Sequence, residues 1–108
     1  MCPKMESAFS LLGKRWNGLI IHVLMDGPKR FKEITETIPM ISQKMLAERL
    51  KELEQNEIVE RRVLPETPVK VIYTLTEKGT ALQAVFQEMQ AWADQFCEPG
   101  VTVCEEEK

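Results

Sequence analysis

The sequence predicts a mainly α-helical fold that carries one small β-hairpin, and three observations support this α+β prediction. A short helical pattern covers residues 31–38, a second and longer one follows Ser42, and the pattern changes from helical to alternating after Asn56. Two helices joined by a short turn and followed by a two-stranded ribbon form the layout of a winged helix-turn-helix. Duplex DNA is therefore the expected partner.

Two helices are predicted ahead of this region. Pro3 fits the first turn of a helix, and the apolar stripe that follows it predicts a short amphipathic helix over about residues 3–12. Trp16 and the apolar run at 19–25 predict a second, more hydrophobic helix, which the turn signal Asp26-Gly-Pro28 closes. We expect this second helix to be the central helix of the core.

The helix-turn-helix is predicted next. The helix over residues 31–38 ends at Pro39, which cannot continue a helix. Ser42 is the expected N-cap of the recognition helix, and leucines that recur every three or four residues over 46–53 bury one side of it. The other side carries three charged residues, Lys44, Glu48 and Lys51.

Two half-buried strands are predicted over residues 59–63 and 70–75, where apolar and polar side chains alternate. The connection at 64–69 contains two prolines, which lack the donor for a ladder hydrogen bond and favour a stiff, extended loop. Such a loop suits a wing that lies along a phosphate backbone. The basic residues that flank it are Arg61, Arg62 and Lys70. The alternative for these strands is an ordinary solvated hairpin. The alternative for the whole fold is a protein-protein module, since winged helices also serve in that role.

The last helix is predicted from about Glu77 to Phe96, with Thr76 as its N-cap. Its apolar stripe is longer than a compact reading head can cover, so a homodimer through the first and last helices is expected. A two-fold dimer predicts an inverted-repeat operator. The expected interface residues are Phe9, Leu82, Val85, Phe86, Met89, Trp92 and Phe96. The alternative is that this helix folds back on its own core.

The length of 108 residues predicts a single domain. Its expected parts are a reading head at about 14–75, dimerisation helices at about 3–12 and 77–97, and a tail at 98–108. The net charge of −3 is unevenly distributed. Residues 14–70 contain 11 Lys or Arg against 9 Asp or Glu, whereas residues 77–108 contain 2 against 7. We expect the acidic segment to stay away from phosphates.

The cysteines indicate chemistry rather than structure. With no signal-like or membrane-spanning segment, the protein is expected to be cytoplasmic and without membrane contact, and thiols there are normally reduced. Cys2 directly precedes Pro3, which places its thiol at the N-terminal end of the first helix, where the helix dipole favours the thiolate. The alternative is that Cys2, Cys97 and Cys104 are all incidental.

Other functional classes fit the sequence poorly. A single histidine, His22, and five glycines leave no Ser/His/Asp constellation and no glycine-rich phosphate loop, so an enzyme is not expected. The cysteine spacing matches no zinc site, and neither a metal nor another cofactor is expected. The alternative function is a winged-helix regulator controlled by a non-covalent small-molecule ligand. The candidate pocket residues are Phe9, Trp16, Phe86 and Trp92.

Seven segments in order, spread over nearly the whole chain, resemble the HxlR family of bacterial winged-helix transcriptional regulators. They are CP at 2–3, LGKRW at 12–16, DGPKRF at 26–31, ISQKML at 41–46, RLKEL at 49–53, VERR at 59–62 and YTLTEKG at 73–79. Within the family, the cysteine pair near the C-terminus, Cys97 and Cys104, most resembles that of thiol-based repressors that respond to quinones and diamide.

The resemblance implies a homodimeric repressor that binds operator DNA and releases it when Cys2 is modified by a reactive quinone or thiol oxidant. Intersubunit disulfides are expected from Cys2 to Cys97 or Cys104 of the partner. The first turn of the recognition helix, from Ser42 to Lys44, is expected in the major groove. The full set of expected DNA contacts is Arg30, Ser42, Gln43, Lys44, Arg49, Lys51, Arg61, Arg62 and Lys70.

Overall fold

The structure, a computed structural model, describes residues 2–98 and confirms the mainly α-helical fold with a β-hairpin. Its elements in chain order are α1 (Pro3–Gly13), α2 (Asn17–Leu24), α3 (Phe31–Thr37), α4 (Gln43–Gln55), β1 (Val59–Leu64), β2 (Lys70–Leu75), α5 (Glu77–Thr80) and α6 (Gln83–Phe96). The predicted tail lies outside the described residues except for Glu98, and so does Cys104.

The core forms between α2, α3 and α4 and continues to the base of the hairpin. α2 is the central helix, as predicted, because three of its aliphatic side chains are fully buried. The leucine stripe of α4 belongs to the same buried cluster. The most deeply buried residues are Ile20, Ile21, Ile34, Leu46, Leu50, Leu53, Ile58 and Val59.

Side-chain caps define where the helix-turn-helix begins and turns. The backbone N–H of Arg30 donates to Glu33 Oε1 at 2.7 Å, which secures the first turn of α3. Ser42 is the N-cap of α4, as predicted, since its Oγ accepts from the backbone N–H of Met45 at 3.0 Å. The recognition helix therefore starts at a fixed point, directly after the turn that Pro39 imposes.

The hairpin is antiparallel, with Val59 opposite Leu75 and Val63 opposite Val71. The prediction of two half-buried strands holds for β2 but is wrong for most of β1, where Val59 is buried and Val63 is exposed. The reason is that the core lies beside the base of the hairpin only. Lys29 and Tyr73 exchange two backbone hydrogen bonds of 2.9 and 2.8 Å, which tie β2 to the segment before α3.

The single helix predicted from Glu77 to Phe96 is wrong, because the structure breaks it into α5 and α6. Thr76 is the N-cap, as predicted, and its Oγ1 accepts from the backbone N–H of Gly79 at 3.1 Å. Gly79 lies against the backbone carbonyl of Ile58, so closely that a Cβ would overlap that oxygen. The chain then makes a tight turn, in which the N–H of Leu82 donates to the carbonyl of Gly79 at 3.1 Å.

We predict that Gly79→Ala destabilises the fold by about 1–3 kcal/mol, because the new methyl group would push α5 away from the backbone of Ile58. Urea unfolding followed by circular dichroism measures the change. Gly13→Ala is the matched control, since a Cβ at Gly13 meets open space and should leave stability unchanged or slightly higher. Equal unfolding midpoints for the two variants would contradict this account of the break.

Candidate DNA interface, thiol sites and apolar surface

The outward side of α4 is a polar surface that its own core leaves free. Leu46, Leu50 and Leu53 are buried, and the residues about half a turn away from them are exposed. Those exposed residues are Lys44, Glu48 and Lys51. Ser42 and Gln43 are exposed at the start of the helix, so the first turn of α4 is open to a groove of DNA.

The other predicted phosphate contacts frame this helix. Arg30 is exposed at the N-cap of α3, and Arg61 and Arg62 are exposed on β1. Because successive strand residues point to opposite faces, Arg61 and Arg62 start from different sides of the hairpin. Arg62 Nε lies 3.3 Å from Glu60 Oε1, and both side chains are more than half exposed, so this pair leaves Arg62 available to a phosphate. Lys70 is half-buried at the start of β2.

Arg49 differs from the other predicted DNA contacts because its guanidinium is already bound within the chain. Its Nε donates to the carbonyl oxygen of Arg15 at 3.0 Å, and its Nη1 lies 3.4 Å from Glu52 Oε1. Lys14 Nζ approaches the same carboxylate oxygen at 3.0 Å. We call Lys14, Arg15, Arg49 and Glu52 the clasp, since they join the segment between α1 and α2 to the recognition helix. A DNA contact by Arg49 stays a prediction.

Glu52 is the centre of the clasp and was missed from the sequence. The hydrogen bond from Lys14 has the largest effect and lowers the pKa of Glu52. Burial comes next and raises this pKa, but the charges of Lys14 and Arg49 lower it further, so the net shift is downward. Its carboxylate therefore stays ionised at neutral pH. The spacing of Arg49 and Glu52, three residues apart on one helix, was the available signal, but it does not identify the partner from α1.

The two described cysteines lie at the ends of the two outer helices. Cys2 is the N-cap residue of α1 and Cys97 directly follows α6, and both are free and exposed. The carbonyl of Cys2 accepts the first backbone hydrogen bond of α1, from Glu6 at 3.1 Å. A reagent in solution can therefore reach both thiols, and a modification at either one acts directly on a helix terminus.

An apolar surface covers the same two helices, neither of which contains a fully buried residue. Leu82, directly before α6, and Phe86, within it, are half-buried and pack against the core. The remaining predicted interface residues, Phe9, Val85, Met89, Trp92 and Phe96, are exposed, with Trp92 at 61%. Met5 and Leu19 are also exposed but were not among the predicted interface residues. Leu19 was missed because the run at 19–25 has the pattern of a core helix.

Among residues 2–98, no three His, Cys, Asp or Glu side chains come close enough together to hold a metal ion. In the same part of the chain, no helix is long and apolar enough to cross a membrane. His22 is exposed, and its ring packs edge-on against Phe86 with the centroids 6.0 Å apart.

The sequence matches one protein family and close relatives within it. The family model for HxlR-like helix-turn-helix proteins matches residues 11–101. The chain is 98% identical, over 108 residues, to the HTH-type transcriptional regulator YodB of Bacillus subtilis (strain 168). The match covers 100% of this chain and 96% of that protein. These matches are to regulators, in line with the expectation that the chain is not an enzyme.

Three solved forms of YodB from B. subtilis resemble the structure. The reduced form has a TM-score of 0.85 at 98% identity and covers 94% of this chain and 99% of that one. The diamide-treated form has a TM-score of 0.77 at 99% identity, covering 92% and 98%. The quinone-bound form has a TM-score of 0.79 at 90% identity, covering 88% and 100%. The resemblance predicted from sequence motifs is confirmed, and the chain belongs to the HxlR-like helix-turn-helix family.

Proposed function

We propose that this chain is a homodimeric transcriptional repressor that releases operator DNA when its cysteine thiols react with quinones or thiol oxidants. One observation carries the proposal. The polar side of the recognition helix is exposed in the same fold in which two exposed thiols lie at the ends of the loosely held outer helices. The similarity to YodB, which has been solved after diamide treatment and with quinone bound, supports the same effectors.

The proposed DNA contacts divide into two roles. Ser42, Gln43 and Lys44 enter the major groove, because the N-terminal turn of a recognition helix meets the base edges first. The remaining basic residues hold phosphates, which fix position without reading sequence. Those residues are Arg30, Lys51, Arg61, Arg62 and Lys70. Glu48, between the two lysines of α4, adds a negative charge that disfavours binding to arbitrary phosphates.

Lys44→Ala is expected to lose about 1–3 kcal/mol on the operator, with little change on random duplex DNA. The operator is first selected from a randomised duplex library, and affinities are then measured by fluorescence anisotropy at several salt concentrations. Arg62→Ala is the comparison variant and should weaken both DNAs while it flattens the salt dependence. Equal losses on all sequences from Lys44→Ala would refute this division of roles.

A homodimer through α1 and α6 is the proposed assembly. Exposed aromatic and aliphatic side chains follow α6 to its end, and the rings of Trp92 and Phe96 pack 5.7 Å apart at the surface. A second copy of the same surface covers these side chains by two-fold symmetry. The two recognition helices then lie about one DNA turn apart, and the operator is an inverted repeat.

Met89→Glu should dissociate or unfold the protein, because it places an unpaired charge in the proposed apolar interface. We expect a cost of several kcal/mol, about the same as the cost of a buried charge that has lost its ion-pair partner. Light scattering gives the mass, and circular dichroism shows whether the monomer is folded. Met40→Glu is the matched control, since Met40 is 81% exposed but lies in the turn before α4. A folded, operator-binding dimer that carries Met89→Glu would disprove this interface.

Thiol chemistry at Cys2 is the proposed trigger. A quinone is attacked by the Cys2 thiolate and forms a covalent adduct, whereas diamide takes two electrons and two protons from a pair of thiols. The proposed pair is Cys2 and Cys97 or Cys104 of the partner subunit, which joins the start of one α1 to the end of the other α6. A cytoplasmic location fits this proposal, because thiols there stay reduced until an oxidant arrives.

Cys2→Ser should bind the operator normally and keep it in the presence of diamide or a quinone, because the proposed trigger is absent. Operator binding is measured with and without each reagent, and non-reducing electrophoresis detects the intersubunit disulfide. The double variant Cys97→Ser/Cys104→Ser is the control that separates the two chemistries, since it lacks both proposed disulfide partners but retains the thiol that a quinone modifies. If Cys2→Ser releases DNA as readily as the parent, Cys2 is not the sensor.

A regulator controlled by a non-covalent ligand is the alternative, and a groove on the surface favours it. An open cavity of about 800 Å³ lies between the end of α1, α2 and the turn before α4. Trp16, Leu19 and Val23 contribute apolar lining, and Trp16 is one of the predicted pocket residues. Dithiothreitol added after diamide treatment distinguishes the two functions, because it reverses release by a disulfide but has no effect on release by a bound ligand.

A further inference from the structure

The clasp contains hydrogen bonds and ion pairs that join the recognition helix to a distant part of the chain. Among residues 2–98 there are three ion pairs, and two of them converge on Glu52. The Arg49 side chain is only 13% exposed, so its pair with Glu52 is less screened by salt than a surface pair. Its hydrogen bond to the carbonyl of Arg15 joins positions 34 residues apart in sequence.

The segment that the clasp holds is strained. Trp16 has a φ of 80°, a left-handed conformation that a bulky side chain rarely adopts. The guanidinium of Arg15 lies 4.5 Å from the centroid of the Trp16 ring, which supports this conformation from one side. Such strain persists only where the surroundings hold the backbone in place, and it occurs often in switch regions.

Asn17 adds a second anchor and a second source of strain. It is 2% exposed, and its Nδ2 donates to the carbonyl of Leu11 at 2.9 Å, which ties the start of α2 to the last turns of α1. Within the described residues its Oδ1 has no hydrogen-bond partner, which is costly for a buried amide. We call residues 11–17, which connect α1 to α2, the joint. The joint is therefore a strained connection rather than a relaxed loop.

The rest of α1 is held weakly. None of its residues is fully buried, and the only ones that pack against the core are Leu11 and Leu12, which are half-buried in the joint. A displacement that begins at Cys2 therefore reaches the reading head mainly through residues 11–17. From there the clasp leads directly to α4, with Glu52 about 12 Å along the helix from Lys44 at 1.5 Å per residue.

We propose that Glu52 is a positioning residue that, with Lys14, couples the state of α1 to the orientation of the recognition helix. When a reaction at Cys2 shifts α1, Lys14 and Arg15 move with it and pull α4 near its C-terminal end, so that its first turn leaves the groove. Glu52 and Arg49 lie on the flank of α4, three residues apart, away from Lys44 and Lys51. This coupling rests on the proposed thiol-dependent release.

The test compares operator affinity after quinone treatment with affinity in dithiothreitol, in the full chain, for four variants. They are Glu52→Gln, Lys14→Gln, the double variant and Lys14→Arg. We expect each neutral variant to reduce the release ratio by about tenfold, and the double variant to do no more than either single one, since both remove the same link. Lys14→Arg keeps the ion pair and should release DNA as the parent does.

Glu54→Gln is the matched control, since Glu54 is exposed on the same helix and forms no ion pair within the described residues. Affinity in dithiothreitol should stay within about threefold of the parent for all variants, because the substituted residues, Lys14 and Glu52, are not among the proposed DNA contacts. A parent-like release ratio for Glu52→Gln would overturn the coupling alone. Weak binding of the reduced Glu52→Gln variant would also overturn it, because Glu52 would then only build the reading head. No quinone-dependent release by the parent would overturn the proposed function and the coupling together.

Discussion

The burial of one side of α4 in the core is the constraint on which the rest of the structure depends. Leu46, Leu50 and Leu53 are at most 2% exposed, and each side chain of this size contributes about 1.5–3 kcal/mol when it is fully buried. This packing fixes the rotation of α4 about its own axis. The polar side must then face outward, and the flank that carries Arg49 and Glu52 must face the segment between α1 and α2. The same three leucines therefore orient both the proposed DNA-reading side of α4 and the flank that carries the proposed coupling.

Local signals in the sequence predicted most of the fold. Ser42 and Thr76 act through hydrogen bonds to residues three positions away, and the leucine stripe follows helical spacing, so a short window contains the whole signal. The break between α5 and α6 could not be predicted this way. It depends on the approach of Gly79 to Ile58, which are far apart in sequence and meet only when the hairpin has formed.

The candidate site also has features that local sequence signals predict and features that they do not. The exposed face of α4 and the positions of Cys2 and Cys97 follow from periodicity and from order along the chain. The clasp does not, because a Lys or Arg gives the same sequence signal whether it faces a phosphate or a carboxylate of its own chain. Arg49 shows the difference, since its three-dimensional surroundings, and not its charge, place it against Arg15 and Glu52.

The two backbone hydrogen bonds between Lys29 and Tyr73 have a consequence for how operators of related proteins can diverge. They fasten the hairpin to the segment that leads into α3, so in the proposed DNA complex the wing and the recognition helix address one half-site as a unit. In the proposed dimer, the distance between half-sites is set separately, by α1 and α6. Changes confined to the outer helices can therefore alter operator spacing while half-site sequence preference stays the same, and the two properties are free to evolve independently.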